Sequence, residues 1–138
     1  MHVRRGNDTT AGAIGHGSTT LTAGSPADAR QMVRSSLESW GWDDLIDDAE
    51  LMVSELVTNT IVHTDTTHAI VALHRHPDRL RVEVTDASPL SPIRPSEPDP
   101  NRLGGLGLKI VAALALDWGV RNTERSKTVW FEVAAGAQ

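Results

Sequence analysis

ELVTNTIVH, Glu55 to His63, lies inside the longest helical pattern of the chain. Leu45, Ala49, Met52, Val53, Leu56, Val57 and Ile61 recur at the three- and four-residue spacing of an amphipathic helix. At about 100° per residue this apolar stripe centres near Leu56. Glu55 and Asn59 stand one turn apart, with His63 one turn further on, all along one border of the stripe. Polar groups there sit at the lip of a core. They either face a pocket or form an ordinary polar edge, and the helix alone does not decide between the two.

The chain before this helix reads simply. Residues 1–17 are rich in Gly and Thr without apolar periodicity, which predicts a loose tail. Ser18 to Ala23 reads as a short edge strand. Ser25-Pro26-Ala27-Asp28 is a helix start: Ser caps, Pro fits the first turn, and Asp favours the positive end of the dipole. Met32, Val33, Leu37 and Trp40 mark its packing face, and Gly41 suits its stop. Asp43 and Asp44 are then expected to open the second helix, which runs to about His63.

After the helix, His68 to His76 and Leu80 to Thr85 alternate as two strands across a turn at Pro77-Asp78. His74 and His76 share a face but have no third metal ligand in view, so exposed strand histidines are expected. Leu80, Val82, Val84 and Asp86 project to one side, so a carboxylate continues an apolar row. Such a group needs a donor partner, because an unpaired buried charge is costly. The alternative is that Asp86 turns out into the following loop.

Pro89, Pro92, Pro95, Pro98 and Pro100 exclude a helix or a central strand and make a long loop. Gly104-Gly105-Leu106-Gly107-Leu108 then opens a third helix through Ile110, Val111 and Leu114. Glycines let backbone amides approach an anion, and a helix N-terminus favours phosphate; the same residues also make a flexible turn. Trp118 to Asn122 and Lys127 to Val133 read as a closing hairpin, with Val129, Phe131 and Val133 towards the core.

The 138 residues make one domain with a substantial core, residues 18–138. The pattern predicts an α/β sandwich (α+β): a mixed, mostly antiparallel sheet with three helices on one face. There are no cysteines, so no disulfide or thiolate metal site is available. No membrane span or signal-peptide hydrophobic region stands out, and a cytoplasmic protein is expected. A net charge of −5 argues against broad binding to nucleic acid.

An E-x-x-x-N helix, a strand ending in Asp and a G-x-G helix start, in that order, resemble the nucleotide-binding domain of the GHKL ATPases. The likeness is closest to the small anti-sigma-factor serine/threonine kinases and their stand-alone actinobacterial relatives. Their marks here are Glu55 to His63 and the final Lys127-Thr128-Val129-Trp130-Phe131-Glu132. The resemblance runs from about Ser25 to Ala134 and implies the Bergerat fold, with ATP and Mg²⁺ as cofactors. It implies Glu55 as catalytic base and Asn59 as the Mg²⁺ ligand. It implies that Asp86 accepts a hydrogen bond from the exocyclic amine of adenine, which selects adenine over guanine. His63, Ser88, Arg102, Gly104, Gly105, Leu106, Gly107 and Leu108 join the implied nucleotide set. Thr128 matches a family threonine that supports the adenine-binding Asp, though a plain strand threonine fits as well. The Pro-rich segment Pro89 to Leu103 is the implied lid. A sigma factor and an antagonist protein are the implied partners, and a homodimer is compatible with them. The sequence departs from the family at Asp86-Ala87-Ser88-Pro89, where most members carry D-x-G-x-G, so this loop is stiffer. No phospho-acceptor helical hairpin is present, so a two-component sensor kinase is not expected.

Overall fold

The computed structural model describes residues 17–63, 68–86, 105–123 and 126–135. In chain order they form β1 (Ser18–Ala23), α1 (Pro26–Trp40), a 3₁₀ turn (Asp43–Leu45), α2 (Ile46–His63), β2 (Ala69–Arg75), β3 (Arg79–Asp86), α3 (Gly105–Leu114), β4 (Asp117–Asn122) and β5 (Lys127–Ala134). The strands make one sheet in the order β1-β2-β3-β5-β4, and every neighbouring pair is antiparallel. β3 and β4 run in the same direction, but β5 lies between them, so no parallel ladder forms among these strands.

α1 is set by its ends. Ser25 Oγ accepts a hydrogen bond from the Asp28 amide at 3.2 Å, and Asp28 Oδ2 accepts one from the Gly24 amide at 3.1 Å. This arrangement satisfies one amide that the first turn leaves open, that of Asp28, and one in the connection just before the cap, that of Gly24. At the other end Gly41 takes a left-handed φ of 76°, which costs a glycine little. Ser25→Ala removes the cap and is expected to cost about 1 kcal/mol of stability, read from the urea midpoint at unchanged slope. A loss under about 0.3 kcal/mol would show that Asp28 alone holds the turn.

The expected start of the second helix is corrected. Asp43 and Asp44 belong to a separate 3₁₀ turn, and α2 begins at Ile46. The cause lies upstream: the Trp42 amide bonds back to Leu37 O at 2.8 Å, and Trp42 O receives the Leu45 amide at 3.0 Å. The chain is tied to the end of α1 before α2 can set off, and Asp47 and Asp48 fill the first turn of α2 instead.

Alternation along the strands decides which face the helices cover. Val71 pairs with Val84, Leu73 with Val82, and Val82 in turn with Phe131. All five are buried, together with Met32, Val33 and Leu37 of α1 and Met52, Val53, Leu56 and Val57 of α2. α1 packs over β1, α2 over β2 and β3, and α3 over β4, with α2 between the other two helices. The result is a two-layer sandwich with its three α-helices on one side of the sheet.

The other sheet face carries charge. Glu132, only 1% exposed, meets Arg79 Nε at 3.1 Å and Arg81 at 3.0 Å. Arg81 also bonds Glu83 at 2.9 Å and lies 4.1 Å over the Trp130 ring. Burial alone would lower the Arg79 pKa, but Glu132, with help from Asp78, raises it above the ordinary arginine value. On the same face the His74 ring, half-buried rather than exposed as expected, meets Ser18 Oγ at 3.1 Å.

Candidate functional site

The topology brings the sequence motifs to one end of the sandwich. Six residues after His63 the chain reaches the first residue of β2, Ala69, which pairs with Asp86 at the end of β3. The last turn of α2 and the end of β3 therefore share one end of the sheet. α3 finishes at the opposite end, where the Leu116 amide bonds Glu132 O at 2.7 Å and Asp117 pairs with Glu132. A ten-residue helix rises about 15 Å, which carries the N-terminus of α3 back towards Asp86. Gly105 and Gly107 fall in its first turn, where backbone N–H groups have no helical acceptor.

α2 offers two polar borders. Arg30 bonds Ser54 at 3.0 Å and Arg34 bonds Glu50 at 2.9 Å, so α1 takes the border that carries Glu50 and Ser54. By helical geometry Glu55 and Asn59 carry the opposite border, on the side of α3. Both are half-buried. They stand at the lip of the core, in reach of the space between α2 and α3. His63 closes α2; the placement of its side chain lies outside the described residues.

Asp86 is half-buried and continues the row of Val82 and Val84 on the helix face. Thr128 does not join it there. Thr128 pairs with Thr85 in the β3–β5 register, and their hydroxyls lie 2.7 Å apart. Both side chains thus project from the face away from the helices, and Thr128 is 4% exposed. The residue one step further along the ladder is Lys127, on the side of Val129 and Phe131 and so on the side of Asp86. Burial pushes the Lys127 ammonium below the ordinary lysine value, and the Asp86 carboxylate lifts it part of the way back. The sequence reading passed over Lys127.

Leu108 is half-buried against the core, and Lys109 is exposed. Ser88, Arg102, Gly104 and the expected lid from Pro89 to Leu103 lie outside the described residues, as does the expected tail up to residue 16. Among the described residues no group of three or more His, Cys, Asp or Glu side chains forms a metal cage. Mg²⁺ bound with a nucleotide takes one or two protein oxygens and fills its octahedron with phosphate and water. Asn59 offers one neutral amide oxygen at the right border. No helix among the described residues is long and apolar enough to cross a membrane.

An acceptor at the end of a strand, an amide oxygen on the central helix and open amides at a third helix's start define a nucleotide-binding α+β sandwich. The family model described as histidine kinase-like ATPase domain matches residues 20–133, and the chain belongs to that family. Comparison with curated proteins finds no significant match. ATP binding, usually with Mg²⁺, follows from the family. On this basis Asp86→Asn is expected to weaken ATP binding by about 1.5–3 kcal/mol, the worth of a hydrogen bond to a charged acceptor. Calorimetry on the folded variant checks it, and unchanged affinity would mean that Asp86 does not touch the base.

Proposed function

We propose that this chain is a regulatory protein serine/threonine kinase of the anti-sigma-factor type. The observation that carries the proposal is the pair Glu55 and Asn59, half-buried one turn apart on the border of α2 that faces α3. A nucleotide-binding module needs Asn59 and Asp86; it has no use for a carboxylate beside the phosphate end. Glu55 orients an acceptor serine and takes its proton as the hydroxyl oxygen bonds to the γ-phosphorus and the bond to the bridging oxygen of ADP breaks. Asn59 would hold Mg²⁺, which would supply positive charge against the phosphates. Asp86 orients the base, and the start of α3 receives phosphate oxygens. The partners proposed are a sigma factor and an antagonist protein that carries the serine, with the kinase acting as a homodimer in the cytoplasm.

A second reading is a nucleotide-gated binding module without transfer. It is favoured by Asp86-Ala87-Ser88-Pro89, which lacks the glycines that most relatives use there. One experiment separates the two. The chain is used to capture partners from native lysate with MgATP, and the captured proteins are then incubated with labelled ATP. Label on a captured protein supports the kinase; nucleotide-dependent capture without label supports the module.

A further inference from the structure

We propose that Lys127 is a second base-reading residue, which with Asp86 forms a donor–acceptor pair that admits 6-oxopurines as well as adenine. The proposal rests on the nucleotide site argued above and concerns which base that site accepts.

The placement comes from the sheet. Thr85 pairs with Thr128, Ala69 pairs with Asp86 and Asn122 pairs with Lys127, so Asp86 and Lys127 come next to each other where the β3–β5 ladder ends. Opposed residues in an antiparallel pair hold their Cβ atoms about 4.5–5.5 Å apart on the same side of the sheet. That side is the helix side, where both residues are half-buried. The carboxylate acts on the ammonium electrostatically, and the ammonium is partly desolvated.

A carboxylate alone only accepts hydrogen bonds. It takes the amine of adenine and repels the carbonyl at the same position of a 6-oxopurine. A neighbouring ammonium supplies donors and no acceptor, which changes the count. With adenine, the amine donates to Asp86 and N7, the five-membered-ring nitrogen on its other side, accepts from Lys127. With hypoxanthine, the protonated ring nitrogen donates to Asp86 and the carbonyl accepts from Lys127. Both bases then satisfy both side chains after a shift of one atom along the edge. A site that leaves a buried polar group unpaired rejects its ligand strongly, and Lys127 removes that penalty for the carbonyl.

The test is calorimetric titration with MgATP and MgITP, which differ only at this edge of the base. Wild type is expected to bind the two within about tenfold of each other, since each base makes the same number of charge-assisted bonds. Lys127→Met, confirmed folded by its thermal melt, is expected to widen the preference for ATP by roughly tenfold to a hundredfold. Lys127→Arg keeps a donor and is expected to restore the wild-type ratio. A wild-type preference for ATP above about a hundredfold overturns the proposal without need of any variant. So does an equal ratio in wild type and Lys127→Met with ATP binding intact, and the nucleotide site itself then stands. Failure of wild type to bind either nucleotide overturns the site and the proposal together.

Discussion

Glu55→Gln binds MgATP and captures its partner as wild type does, while transfer to serine falls by about 10²–10⁴-fold, the usual worth of a positioned general base. This is the expected result if Glu55 is the proton acceptor. The amide keeps the size and hydrogen-bonding reach of the carboxylate but not its basicity. Asn59→Ala on the same border is expected to behave differently. It removes the Mg²⁺ ligand, so MgATP binding weakens and capture and transfer fall with it. The contrast is the informative part, because the two residues are one turn apart and both half-buried. Stopped transfer in Glu55→Gln with unchanged nucleotide affinity separates chemistry from binding. If Glu55→Gln instead lowers stability by several kcal/mol, Glu55 is a structural partner at the helix border and its catalytic role is withdrawn.

Glu132→Ala is expected to cost about 3 kcal/mol of stability and to leave nucleotide affinity unchanged in the protein that remains folded. Glu132 is 1% exposed and is held between Arg79 and Arg81. Removing it takes away the buried carboxylate that the two guanidiniums share and leaves them beside each other with only their more exposed partners, Asp78 and Glu83. Breaking a buried pair costs about 3–5 kcal/mol, and the lower end applies because both arginines keep some contact with water. Arg81 also retains Glu83 and the Trp130 face, which softens the loss further. All of these groups lie on the sheet face away from the helices. A urea midpoint moved by less than about 1 kcal/mol would mean that the network merely decorates the sheet. A fall in ATP affinity would mean that the two faces are coupled.

The parts of the fold legible in the sequence are those decided locally. α1 could be read to its ends because Ser25, Pro26 and Gly41 act on their immediate neighbours. The buried face of α2 and the alternation of β2, β3 and β5 followed from periodicity alone. The start of α2 did not, because two aspartates before an apolar run fit a 3₁₀ turn as well as an α-helix. The bond from the Trp42 amide to Leu37 O decides it, and no residue pattern announces that bond. The alternation of Val129, Phe131 and Val133 likewise leaves Glu132 on the outward side of β5 but does not announce that it is buried. Its cover comes from Arg79 and Arg81, on a strand distant in sequence.

The half-buried placement of Glu55, Asn59 and Asp86 was legible because each sits on the border or continuation of an apolar row. Thr128 was drawn into the site by its match to a family position. The alternation of Val129, Phe131 and Val133 towards the core already places Lys127 on their side and Thr128 on the other. That signal was present in the sequence. It gained meaning once Thr128 was seen to pair with Thr85, and so to turn its hydroxyl away from Asp86.

The central claim is that adenine nucleotide binds at the end of the sandwich where α2 ends, β3 ends and α3 begins. Backbone amide chemical shifts recorded during a titration with MgATP test it most directly. The predicted result is a set of changes concentrated at Asn59, Asp86, Lys127 and Gly105 to Gly107, with Trp40, Arg75 and Asp117 at the other end nearly still. Changes centred on that other end, or none at saturating MgATP, would contradict the account.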